Sequence, residues 1–129
     1  CRTSNPSADT FQSQNLIGGD HIYELVAKWA NDLNTKDNVG LVVGATAPKE
    51  LSKVRKLAPD LPILIPGVGA QGGNLEDTYK NGVNDKIGIL INSSRSIIYA
   101  GNDENFLKKS YEEAKKLQSK MSILLNNND

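Results

Sequence analysis

With 129 residues, 38% of them apolar and 23% charged, the chain has the composition of ordinary globular protein and not of a disordered segment. Lysine plus arginine and aspartate plus glutamate number 15 each, which excludes the global field that draws a protein to nucleic acid or an anionic membrane; any anion site must be local. The single cysteine forms no intramolecular disulfide, no stretch approaches the roughly 18 apolar residues of a membrane span, and no signal-peptide pattern opens the chain, so a reducing cytoplasm is the expected compartment.

In chain order, Cys1-Arg2-Thr3 runs straight into Thr3-Ser4-Asn5-Pro6, a polar turn of the type that follows a strand. The first three residues therefore read as the remnant of a strand, and the start of the domain as missing. Ile22, Leu25, Val26, Trp29, Ala30 and Leu33 make a helical stripe with Asp20 as its expected N-cap. Leu41-Val42-Val43, Ile63-Leu64-Ile65 and Ile89-Leu90-Ile91 are continuous apolar runs, the pattern of parallel strands covered on both faces. Between them Leu51, Val54, Arg55 and Leu57 recur at helical spacing after Pro48, which suits a first helical turn. Leu75, Thr78 and Tyr79 do the same up to Gly82, read as a helix stop. From near Asp103 a last stripe runs through Phe106, Leu107, Tyr111, Ala114, Leu117, Met121 and Leu124, with residues 126–129 as a disordered tail.

Strands alternating with helices about every two dozen residues are the mark of successive βα units in an α/β fold. A complete eightfold barrel takes roughly 250 residues, so residues 1–129 correspond to one partial domain, half a barrel. An open doubly wound sheet has the same periodicity and stays an alternative. Both architectures bind ligands at the carboxyl ends of the strands, where Ser4, Gly44-Ala45-Thr46, Gly67 to Gly73, and Ser93 to Arg95 all fall.

Those loops carry the chemistry. Pro66-Gly67-Val68-Gly69-Ala70-Gln71-Gly72-Gly73 lets backbone approach a ligand closely, and successive N–H groups there can form an anion-binding concavity. Arg95, after Ser93 and Ser94, supplies a rigid fork of donors matched to phosphate oxygens. Gln71 has amide donors and an acceptor with which to bridge a phosphate and a neighbouring polar group. The segment Gly67 to Gly72 also fits the G-x-G-x-x-G dinucleotide fingerprint, but the next strand ends in Asn92-Ser93 where that fingerprint needs a ribose-binding acid. Glycines serving only a tight turn remain a second alternative. Asp20 and His21, adjacent at a helix start, do not face one another as a catalytic dyad, and Cys1 has no base beside it. No Cys/His cluster has metal-ligand spacing, and the charges from Lys108 to Lys120 form a solvated helix face.

Taken together and in order, Thr3-Ser4-Asn5-Pro6, Gly40 to Thr46, Leu64 to Gly73 and Asn92 to Ile97 resemble the second sequence type of orotidine 5′-phosphate decarboxylase. The resemblance implies the carboxyl-terminal half of a (β/α)8 TIM barrel, from about the end of strand 5 to helix 8. It further implies a cytoplasmic homodimer with active sites near the shared interface, converting orotidine 5′-phosphate to uridine 5′-phosphate and carbon dioxide without metal or organic cofactor. By the same resemblance Ser4 hydrogen-bonds the pyrimidine edge and Gln71 links that serine to the phosphate. Arg95 holds the phosphate beside the N–H groups of Ser94 and Arg95, while Pro66 and the glycines from Gly67 through Gly72 form a loop that closes over the ligand. Ser94 stands where related enzymes have glycine. The family's reacting array, Asp-x-Lys-x-x-Asp, does not occur in residues 1–129, so the resemblance assigns recognition but no catalytic residue to this chain. The implied partner is the missing amino-terminal half of the barrel, and nucleic acid and membrane are not expected as partners. Another phosphate-binding barrel enzyme, such as a sugar-phosphate epimerase or synthase, and a non-catalytic phosphate-binding half-barrel are the alternatives. A half-barrel has two open sheet edges that call for pairing.

Overall fold

The apolar runs form the strands expected of them: β1 (Leu41–Val42), β2 (Ile63–Pro66) and β3 (Ile89–Asn92), all parallel, in the order β1-β2-β3. The computed structural model describes all of residues 1–129 except Ala70, Ile87, Asn128 and Asp129. Two compact units divide the chain, Cys1–Asn92 and Ser93–Asp129. The first holds the sheet with α1 (Ala8–Phe11), α2 (Ile22–Leu33), α3 (Pro48–Leu57) and α4 (Leu75–Gly82). The second holds α5 (Arg95–Ile98) packed on α6 (Phe106–Asn126). Cys1-Arg2-Thr3 behaves as the strand remnant expected: Arg2 bridges Val43 in parallel, donating to Val42 O at 3.3 Å and accepting from Gly44 N at 2.7 Å.

The core of the first unit lies between the sheet and the helices α3 and α4, which pack on each other. Leu51, Val54, Leu61, Ile63, Ile65, Val43 and Thr78 are fully buried there. Residues 1–129 by themselves cover one face of the sheet and leave the other open, as a half-barrel would. Side chains alternate along a strand, and Val42, Leu64 and Leu90, paired across β1, β2 and β3, are 43%, 38% and 59% exposed. Periodicity reports apolar content but not which face finds a neighbour.

Pro48 opens α3 as expected. Two helix ends differ from the sequence reading, while α4 stops at Gly82 as expected. The N-cap of α2 is His21, in extended conformation, whose N–H is accepted by the Glu24 carboxylate at 2.7 Å; Asp20 instead pairs with Lys28. Gly82 is the last residue of α4 without a positive φ. Its lack of a side chain serves close packing, since a Cβ there would lie 3.1 to 3.3 Å from Ile89, Ile65 and Leu51. At the far end, α6 takes in Asn126, and Asn127 still donates to Ile123 O at 3.2 Å. Asn126 and Asn127 thus do not belong to the tail expected there, and residues 128 and 129 lie outside the described residues.

Arg55, part of the apolar stripe of α3, is buried and has no carboxylate within ion-pair distance among the described residues. Its guanidinium donates to five carbonyls: Gly82 at 2.7 Å, Ala58 at 3.1 Å, Pro59 at 3.0 Å, Leu61 at 2.7 Å and Gly88 at 2.8 Å. Burial lowers its pKa from the ordinary value, with Asp60 opposing that shift. One side chain thereby ties together the end of α4 and the segments entering β2 and β3, at the rim opposite the functional loops.

Candidate functional site

Parallel strands deliver their following loops to one rim, and the loops after Arg2, β1 and β2 meet there. Gly44 packs so tightly on Ser4 that a Cβ would overlap the serine hydroxyl and lie 2.8 Å from its backbone nitrogen. A Cβ on Gly67 would lie 2.8 Å from Gln71 Oε1 and 3.2 Å from Ser4 Oγ, and one on Gly73 would overlap Ala45. Ser4 and Gln71, 67 positions apart in sequence, therefore converge on the same α-carbon. The Ser4 hydroxyl is buried and makes no hydrogen bond among the described residues. Buried polar atoms are nearly always paired, so this one is available to a ligand atom.

The glycine loop is held in part by its own carbonyls. Gly67, Gly69 and Gly72 have φ of +98°, +81° and +84°, a region that side chains disfavour. The resulting coil folds back on itself: Gly69 N–H donates to Gly73 O at 3.1 Å, Gly72 N–H to Gly69 O at 2.8 Å, and Gly73 N–H to Gly67 O at 3.1 Å. Those three donors are taken up within the loop, and the exposed Gln71 side chain lies near Ser4 over Gly67. Pro66, half-buried at the end of β2, accepts from Ala45 N–H at 2.9 Å and pairs with Asn92. Gly72 is exposed, with nothing within 4 Å of where a Cβ would stand.

Ser94 and Arg95 belong to the second unit and follow the end of β3 in the chain by two and three residues. Arg95 is exposed and opens α5. The Ser94 carbonyl accepts from Ile97 and Ile98 N–H at 3.1 and 2.8 Å, and its φ of −104° requires no glycine. Ser93 Oγ is 2.6 Å from Ser96 Oγ. Elsewhere, His21 Nδ1 is 2.8 Å from Ser13 O, and Cys1 Sγ donates to Tyr23 O at 3.1 Å. Among the described residues no group of three or more His, Cys, Asp and Glu is placed to hold a metal, and no helix is long and apolar enough to cross a membrane.

Sequence reasoning missed the supports beneath Ser4. Arg2, Asp9 and Gln12 surround the turn, and the only signal for them is a charged residue inside an otherwise strand-like remnant.

The orotidine 5′-phosphate decarboxylase / HUMPS family model matches residues 1–110. The chain belongs to the orotidine 5′-phosphate decarboxylase / HUMPS family. The match takes in the Ser4 turn, both glycine segments and Arg95. Curated family relatives named orotidine 5′-phosphate decarboxylase include one from Haloarcula marismortui, 45% identical over 94% of this chain and 47% of its own length. Another, from Halorubrum lacusprofundi, is 50% identical over 81% of this chain and 40% of its own length. The chain thus spans about half the length of the curated relatives it matches. Among solved structures, Leishmania donovani OMP decarboxylase superposes with a TM-score of 0.74 at 35% identity, over 92% of this chain and 45% of that one. Leishmania donovani UMP synthase gives 0.77 at 38%, over 92% and 26%. These likenesses make the parallel βα units of this family member part of a (β/α)8 barrel and set aside the doubly wound alternative.

Proposed function

We propose that this chain supplies substrate recognition for the decarboxylation of orotidine 5′-phosphate to uridine 5′-phosphate, a step of pyrimidine nucleotide synthesis. Ser4 bonds the pyrimidine edge, Gln71 bridges from Ser4 to the phosphate, and Arg95 with the Ser94 and Arg95 N–H groups holds the phosphate. Pro66 and the glycines to Gly72 form the segment that closes over the nucleotide. The observation that carries this reading is the convergence of Ser4 and Gln71 on Gly67, with the serine hydroxyl buried and unpartnered. A sugar phosphate has no pyrimidine for that hydroxyl to frame. Because residues 1–129 hold no Asp-x-Lys-x-x-Asp array, the proton donor to the carbanion comes from outside them, and the 129 residues alone are inactive. Phosphate contacts remote from the bond that breaks still raise the rate when they drive closure and favour the transition state. The working form in this proposal is a cytoplasmic homodimer.

The test is titration of uridine 5′-phosphate and ribose 5-phosphate against the wild-type protein and the variants Ser4→Ala, Gln71→Ala and Arg95→Ala. Arg95→Ala weakens both ligands, about 10- to 100-fold for a lost charged hydrogen-bond pair. Ser4→Ala weakens only the nucleotide. Unchanged binding in all three variants refutes the assignment.

A further inference from the structure

Ser4 is held in place by a buried arginine two residues before it. The Arg2 side chain is 9% exposed and divides its guanidinium between two partners: Nη1 donates to Thr3 O at 3.0 Å, and Nη2 donates to Asp9 Oδ1 at 2.6 Å, with Glu50 Oε1 at 3.9 Å. The Thr3 carbonyl belongs to the same planar peptide group as the Ser4 N–H, so fixing the oxygen fixes the direction in which Ser4 leaves the strand. The other side of Thr3 is gripped as well, its N–H donating to Gln12 Oε1 at 2.8 Å. Asp9 also accepts from Ser13 Oγ at 3.2 Å. Asp9 belongs to the short helix α1 and Gln12 and Ser13 follow it, so the chain from Thr3 to Ser13 closes into a loop around the turn, with the guanidinium as its central tie.

We infer that Arg2 is a positioning residue for Ser4: its guanidinium, bridging the Thr3 carbonyl to the Asp9 carboxylate, sets the Thr3–Ser4 peptide plane and with it the aim of the Ser4 hydroxyl. The role requires arginine. A planar fork serves a carbonyl and a carboxylate at once, whereas a lysine ammonium is a single point that serves one or the other. Neither Arg2 nor Asp9 touches the ligand in this arrangement. The consequence for binding rests on the reading of Ser4 as the pyrimidine contact; the positioning itself does not.

Two measurements on the protein expressed from its natural reading frame separate the two. In the ligand-free protein, the backbone amide resonance of Ser4 is compared in wild type, Arg2→Lys and Asp9→Ala. Asp9 is largely exposed, so its variant breaks the tie without emptying a buried site. The resonance shifts in both variants, while amides of β2 are unchanged; an unmoved Ser4 amide in both overturns the proposal. Affinity is then measured in a cycle of Ser4→Ala, Arg2→Lys and the double variant. Arg2→Lys weakens uridine 5′-phosphate about tenfold, the worth of one misaimed hydrogen bond, weakens ribose 5-phosphate less than twofold, and adds nothing to Ser4→Ala. Losses that multiply in the double variant, or fall equally on both ligands, overturn the proposal. A Ser4 amide that moves in Arg2→Lys while Ser4→Ala binds the nucleotide normally upholds the positioning role and removes the pyrimidine reading.

Discussion

Replacing Arg55 by methionine keeps a long unbranched stem in the α3 stripe and removes the donors that hold five carbonyls. Of those acceptors Gly88 O keeps a second bond, from Ile63 N–H at 2.9 Å, and Pro59 is exposed and can be hydrated. That leaves Gly82, Ala58 and Leu61, whose bonds to Arg55 are buried. Each buried carbonyl left unsatisfied costs about 1–3 kcal/mol. Against this stands the relief of no longer burying a guanidinium without a carboxylate, which pulls the sum to the low end, about 3–4 kcal/mol. At a slope of about 2 kcal/mol per molar in urea, the midpoint falls by about 1.5–2 M with the slope unchanged, read by far-ultraviolet circular dichroism. Arg55→Lys preserves the charge but not the fork, so it loses at least half as much, about 1.5 kcal/mol. A midpoint shift below about 0.5 M for the methionine variant, with the slope unchanged, refutes the account of Arg55 as the tie across the strand-entry rim.

Glu24 titrates differently folded and unfolded. Burial raises its pKa, but the His21 N–H and Lys53 together outweigh burial and hold it below its ordinary value of 4.5. A depressed carboxylate stabilises the fold above the unfolded pKa, so its contribution is complete above 4.5 and disappears as pH falls through the lower folded value. Glu24→Gln keeps an acceptor for the His21 N–H but loses the charge that strengthens that bond and pairs with Lys53, about 1 kcal/mol at neutral pH, and flattens the stability profile in that acid window. Denaturation midpoints from pH 3 to 7 check it; parallel profiles for the two proteins count against the role of the charge. Gly44→Ala forces the Ser4 backbone aside, costing about 1–3 kcal/mol and reducing uridine 5′-phosphate affinity. Gly72→Ala, strained by its φ of +84° but free of neighbours, costs about 1–2 kcal/mol and leaves ligand-free Ser4 resonances in place. Paired thermal melts and Ser4 amide resonances distinguish the two glycines, and a Ser4 resonance unmoved in Gly44→Ala would show that crowding against Ser4 is not what Gly44 relieves.

What the sequence determined by itself was local. Continuous apolar runs, the 3.6-residue period and the punctuation by Pro48 and Gly82 placed the strands and long helices, and their βα alternation put Ser4 and Gln71 at one rim because parallel strands end together. The positive-φ glycines were legible because that conformation belongs to the residue itself. Tertiary structure decided everything whose partner lies far along the chain. Arg55 in a helical stripe looks like one more stripe residue until Gly82 and Gly88, 27 and 33 positions away, present their carbonyls. The same holds for Asp20, which could cap α2 but is drawn to Lys28, and for the sheet face of Val42, Leu64 and Leu90, whose exposure is set by neighbours and not by their own hydrophobicity. Three N–H groups of the glycine loop, on Gly69, Gly72 and Gly73, go to the loop's own carbonyls, an outcome fixed by the path of the turn and invisible in its composition.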